Sequence, residues 1–245
     1  MSSYGLDMIF EMAKKCFDGI DLAVWKGFDA WNENYVRSLV KKHELPVYSI
    51  QTSASLNSKE LNKVLDICMA TDCDLVTINA PKFFDFKSYS FIANNIGEYQ
   101  AQNPALNFAI INPEDNNIFA LPIPAYHFSN IVDIVKKYNC ALALDVANMD
   151  TEDLEGNFTN KLDDFSAYFA LVYISDKSKG GKPHLMPGEI LKLPSFIKKL
   201  KKAGYTRPFS VKLDLTKEEL ADVDKIEIIL SKSREFIEKY MLESE

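Results

Sequence analysis

Residues 46–79 read PVYSIQTSASLNSKELNKVLDICMATDCDLVTIN. A short apolar run at 46–51 gives way to a loop, and then to Asn57-Ser58-Lys59-Glu60-Leu61, the spelling of a capped helix start. The helix pattern lasts to Thr71 and a second apolar run follows at 75–79. The two runs are nearly continuous in apolar residues, as parallel strands covered by helices are. Strand, helix and strand in one short stretch make one βα unit.

The same unit recurs outward in both directions. Strands are expected at 20–25, 46–51, 75–79, 106–111, 141–145, 170–174 and 209–213, and helices at 32–43, 58–71, 88–102, 125–138, 161–168, 194–203 and 217–240. Thr216 and Glu219 spell a capping box for the last helix. Successive strands lie roughly 30 residues apart, the length of one βα unit. No Pro/Ser-rich linker or composition break interrupts the series, so 1–245 is expected to be one α/β domain, a (β/α)8 TIM barrel. A doubly wound open sheet is the rival, but it would bring a switch-point loop of its own. The strand count is one short. Residues 5–16 read as a helix, which leaves only 1–4 for a strand before it, so strand 1 is expected to be short or missing.

Composition narrows the function. The chain has 245 residues, 47% hydrophobic and 26% charged, which excludes disordered and fibrous classes. Its net charge of −7 repels polyphosphate, so neither nucleic acid nor an anionic membrane is expected as a partner. No apolar run is long enough for a membrane span, and the first residues lack the order of a signal peptide. The four cysteines show no CxxC spacing and read as reduced thilols of a cytoplasmic protein. GxGxxG, GxxxxGK[ST] and GxSxG are all absent.

In a barrel, chemistry belongs at the C-terminal strand ends. Those ends carry Asp21, Gln51, Asn79, Asn112 with Glu114, Asp145 with Asn148, Ser175-Asp176, and Lys212 with Asp214. Residues 176–184, DKSKGGKPH, place three lysines and His184 around Gly180-Gly181. That loop reads either as a clamp for phosphate or carboxylate or as a solvated loop. Trp25, Phe28 and Trp31 form an aromatic group on which sugar C–H faces or a helix can pack. His127 and His43 are weaker candidates.

Several of these segments resemble the xylose-isomerase-like TIM barrels, a group of sugar isomerases, sugar epimerases and endonuclease IV. Residues 16–22, CFDGIDL, resemble the signature after the first helix; 108–114, FAIINPE, the fifth-strand segment; 142–148, LALDVAN, the sixth-strand Asp-x-x-His segment. Residues 172–176, VYISD, and 184–189, HLMPGE, resemble the seventh-strand region. The resemblance implies a Glu-Asp-His-Glu metal set, and here it fails residue by residue. The first Glu position falls on Ile111, or on Asn112 with a one-residue slip. The Asp is Asp145, the His is Tyr173 and the last Glu is Lys212. The second histidine of the Asp-x-x-His pair is Asn148, and Lys182 precedes His184 where multi-metal members often have an acid.

One carboxylate does not hold a divalent cation against water, so no metal and no other cofactor is expected. If Lys212 points into the mouth, its ammonium can stand in for the cation and pair with Asp145, either as a structural ion pair or as a functional one. Both readings require the two groups within about 6 Å. The resemblance thus implies a sugar or sugar phosphate as partner and a metal-independent or degenerate isomerase or epimerase. Asp145, Lys212, Glu114 and His184 are its expected catalytic residues; Asn112, Asn148, Tyr173, Asp176, Lys182 and Trp25 its expected substrate contacts. The alternative is a non-catalytic sugar- or anion-binding or scaffold protein. A DNA-repair nuclease is the least expected, and the oligomeric state stays open.

Overall fold

The computed structural model describes residues 4–53, 56–80, 86–112, 116–118, 121–123, 135–136, 139–149, 154, 166–188 and 190–243. The chain divides into two compact units, Met1–Ala143 and Leu144–Glu245, with the boundary inside a strand.

The first unit runs α1 (Leu6–Cys16), β1 (Ile20–Ala23), a single 3-10 turn, α2 (Glu33–His43), β2 (Val47–Gln51), α3 (Ser58–Thr71), β3 (Leu75–Asn79), α4 (Phe86–Gln102) and β4 (Asn107–Ile111). A small antiparallel hairpin follows, β5 (Asn116–Ile118) with β6 (Leu121–Ile123), before β7 (Ala141–Asp145). Its main strands are parallel in the order β1-β2-β3-β4-β7. The second unit holds the end of β7, then β8 (Phe169–Ile174), α5 (Leu193–Lys202), the short β9 (Phe209–Val211) parallel to β8, α6 (Lys217–Leu220) and α7 (Val223–Leu242).

Strand alternation sets what each face carries. In the first unit Leu22, Ile50, Val76, Ile78, Phe108 and Ile110 join one buried cluster with Phe10, Leu39, Leu61, Ile67 and Ile96 of the helices. Burying each such side chain stabilises the fold by about 1.5–3 kcal/mol. The intervening residues Asp21, Ser49, Gln51, Thr77, Asn79 and Ala109 are small or polar. In β1 to β4 small or polar residues therefore sit between large apolar ones, while β8 is the nearly continuous apolar run that the sequence reading expected.

Caps fix the boundaries. Asn32 and Asn57 accept the Tyr35 and Glu60 backbone N–H groups, and Thr216 and Glu219 form the expected capping box. The expected helix over 217–240 is two. Asp222 recaps the chain by accepting from Lys225 N, so α6 ends at Leu220 and α7 starts at Val223. The first strand is short, at four residues. Residues 1–3 of the expected strand over 1–4, most of the helix over 125–138 and most of that over 161–168 lie outside the described residues; Tyr4 is in a bend and 166–168 form a 3-10 turn.

Candidate active site

Three expected site residues meet in the second unit. β7 ends on Asp145, whose carboxylate is fully buried. Its Oδ2 accepts from Lys212 Nζ at 2.8 Å and lies 2.9 Å from His184 Nε2. Lys212 directly follows β9, and its ammonium stands 5.0 Å above the ring of buried Tyr173 on β8. The aromatic face and the carboxylate both favour the charged amine. Burial alone would raise the Asp145 carboxyl, but the His184 hydrogen bond and the Lys212 charge outweigh it and hold it below the usual carboxylate range. Side chains of Lys212 and His184 remain 28% and 17% exposed, so both can meet a ligand while Asp145 stays behind them.

The loop from Asp176 to Leu191 presents His184. Asp176 and Leu185 exchange backbone hydrogen bonds of 2.8 and 2.9 Å, and the carbonyl of His184 accepts from Asp214 N at 2.7 Å. His184 itself adopts a left-handed backbone, φ 63°, which a non-glycine residue holds only where its surroundings enforce it. Asp176 is buried, and its carboxylate accepts the backbone N–H groups of Lys177, Ile190 and Leu191 at 2.7, 3.1 and 2.9 Å. A Cβ at Gly188 would come within 3.1 Å of Asp176 Oδ2, which accounts for glycine there. Asp176 therefore organises the loop from within.

The lysines of this loop are largely spent on the protein. Lys182 pairs with Asp214 at 3.1 Å and Lys177 donates to the Met149 carbonyl. The Gly181 and Lys182 N–H groups bond to Ser178 O and Oγ at 2.9 and 3.0 Å, so the Gly-Gly turn does not offer these amides to an anion. Asn148 follows β7 in a 3-10 turn and is half-buried. Asn112, just past β4, is buried, and Trp25 stacks on Phe28 with ring centroids 4.4 Å apart; both belong to the first unit. Glu114 and His127 lie outside the described residues, while the largely buried His43 lies 2.6 Å from the exposed carboxylate of Asp7. Ser175 directly follows β8 among the polar strand-end residues of the sequence, which gave it no role. Its hydroxyl is buried without a protein hydrogen-bond partner, next to Asp176.

No protein-family model matches the chain, and no curated protein does. Solved structures do. A xylose isomerase domain protein from Alicyclobacillus acidocaldarius superposes with a TM-score of 0.72 at 15% identity, covering 98% of this chain and 95% of that one. The IolI protein with a bound zinc atom gives 0.72 at 14% identity, covering 99% and 96%. A sugar phosphate isomerase/epimerase from Parabacteroides distasonis gives 0.66 at 12% identity, covering 96% and 89%. The fold is that of the xylose-isomerase-like TIM barrels, as the sequence resemblance implied.

That fold implies a metal, and the described residues do not fit one. Asp145 and His184 are ligand types, but the third group converging on them is the Lys212 ammonium, which repels a cation at that range. Among the described residues no three His, Cys, Asp or Glu side chains cluster to hold an ion. Nor is any described helix long and apolar enough to cross a membrane.

Proposed function

We propose that this chain binds a sugar or sugar phosphate and acts as an isomerase or epimerase α to a carbonyl without a divalent metal. The observation that carries the reading is the Lys212–Asp145–His184 cluster, with both contacts under 3 Å on one carboxylate oxygen. Lys212 supplies a fixed positive charge and N–H donors to the substrate carbonyl, stabilising the enolate that forms when the neighbouring carbon loses its proton. His184 is the partly exposed group able to move that proton. Asp145 faces two partners from full burial, so its part is to orient both rather than to carry the proton itself. Asn148 and Tyr173, of the same unit, remain proposed to line the bound ligand. The proposal treats 1–245 as one domain in the cytoplasm, consistent with single xylose isomerase domains covering nearly all of it.

The second reading, a non-catalytic sugar binder or scaffold, is favoured by one fact: Asp145 already engages both Lys212 and His184, as a structural cluster would. Exchange in deuterated water separates the two. A panel of aldoses, ketoses and their phosphates is followed by NMR at the carbon next to the carbonyl, with chelator present. Native protein should catalyse exchange, and Lys212→Met and His184→Gln should each lose about a hundredfold or more. A panel member that binds saturably yet never exchanges overturns the catalytic reading in favour of the binder.

A further inference from the structure

β2 and β3 end side by side in the first unit, on Gln51 and Asn79. Asn79 Nδ2 donates to the Thr52 carbonyl at 3.1 Å, which turns Asn79 Oδ1 toward Gln51, and Gln51 Nε2 donates to that oxygen at 3.1 Å. The backbone carbonyl can only accept, so the orientation of both amides follows from it. Each amide keeps one N–H beyond these two bonds, and Gln51 keeps its Oε1. Beside them Thr52 is 3% exposed, with its backbone held by a 2.9 Å bond to Thr77 O. Its Oγ1 is buried with no hydrogen-bond partner.

A buried hydroxyl left unpaired destabilises a fold, and valine would fill the same shape without that cost. The hydroxyl at 52 is better explained by a partner that arrives with a ligand. We propose that Gln51, Thr52 and Asn79 form a hydroxyl-reading subsite that takes a neutral vicinal diol of a polyhydroxylated ligand. A carbohydrate hydroxyl is donor and acceptor at once, and so are an amide edge and a threonine hydroxyl. Phosphate is acceptor-only when fully ionised and would face Gln51 Oε1 and Asn79 Oδ1 with no charge from these three residues to offset the repulsion. Rotation about χ1 of Thr52 swings Oγ1 between staggered positions, so the closed hydroxyl can turn to an arriving ligand. This rests on the reading of the chain as a sugar binder and commits that reading to uncharged hydroxyls at this strand edge.

Xylitol, sorbitol and D-xylose are the probes, used on the full chain; the two polyols lack the carbonyl on which Lys212 would act. Polyols stabilise any protein by exclusion from its surface, so a melting shift is not the readout. The readout is saturable movement of the Gln51 and Asn79 side-chain amide NMR signals, with inorganic phosphate as the charged control. At least one probe should saturate, and phosphate should not compete with it. Thr52→Val should weaken that probe about three- to tenfold while its urea midpoint equals or exceeds the native one. Gln51→Leu should weaken it likewise. Unchanged affinity in both variants overturns the subsite, and so does a Thr52→Val protein less stable than native, because the hydroxyl would then have a structural partner. No saturation by any probe overturns it too, while α-proton exchange still measures the proposed function. Saturation without exchange leaves the subsite standing and removes the catalysis.

Discussion

Asp145 is a full negative charge with no exposure, and Lys212 and His184 both meet one of its oxygens. Removing the charge should therefore hurt in a pH-dependent way. Asp145→Asn leaves Lys212 facing a neutral amide; breaking one partner of a buried pair costs roughly 3–5 kcal/mol, and the partial exposure of Lys212 sets the expectation at the lower end. The folded-state carboxyl titrates below its unfolded value, so its stabilisation is present above the unfolded value, about pH 4, and is lost as pH falls through the folded one. Urea midpoints of native and Asp145→Asn proteins should differ at pH 7 and converge as pH falls below about 4. A gap unchanged at acid pH would mean that the charge of Asp145 is not what stabilises. At this scale the sequence was legible where distant residues converge on one family position. Asp145, Lys212, Tyr173 and His184 could be placed by their strands. Asp176 and Lys182 could not, because nothing along the chain says that one carboxylate turns back onto three amides or that one lysine is held by Asp214.

Gly19 shows how one position joins two elements. A Cβ there would lie 2.3 Å from Cδ2 and Cε2 of Tyr48 and 3.0 Å from the Pro46 carbonyl, so the ring of β2 lies directly on the backbone leading into β1. Gly19→Ala must push a half-exposed ring aside and should cost about 1–3 kcal/mol. Tyr48→Ala added to it should recover part of that loss, giving a favourable coupling in a double-mutant cycle of urea midpoints. Additive losses would mean that the ring is not the obstacle. Strand and helix positions were readable because period and capping agree: β3, β7 and α3 fall where the sequence put them, and Asn57 caps as expected. The β5–β6 hairpin was missed, since its strands are three residues each and Pro122 sits inside one. The break between α6 and α7 was missed because the apolar spacing of one helix continues past a cap that only Asp222 marks.

Across the molecule, the thiols are kept out of solution chemistry. Cys16, Cys68 and Cys73 are buried. Burial pushes Cys140 up to about 12, and the Cys73 contact together with burial drives Cys68 well above the ordinary thiol range. A raised thiol contributes stability that is intact below about pH 8.5 and fades as pH climbs toward the folded value. Native protein at pH 8 should accordingly react slowly with a disulfide reagent at all four positions and release four thiols promptly in urea. One fast native thiol would contradict the packing described for it. The fold class was legible because seven βα units in order leave few topologies open. The division into two compact units was not, since its boundary falls inside β7, where hydropathy is continuous.

Lysine codons become glutamate codons by a change of the first base, AAA to GAA or AAG to GAG. Because Lys212 and His184 meet the same oxygen of Asp145, that change would replace an internal cation with a second carboxylate facing the first. Two carboxylates at such range repel each other, and a positive group is needed to hold them together. A built-in counter-ion and an uncompensated pair of acids are thus separated in the gene by a single purine.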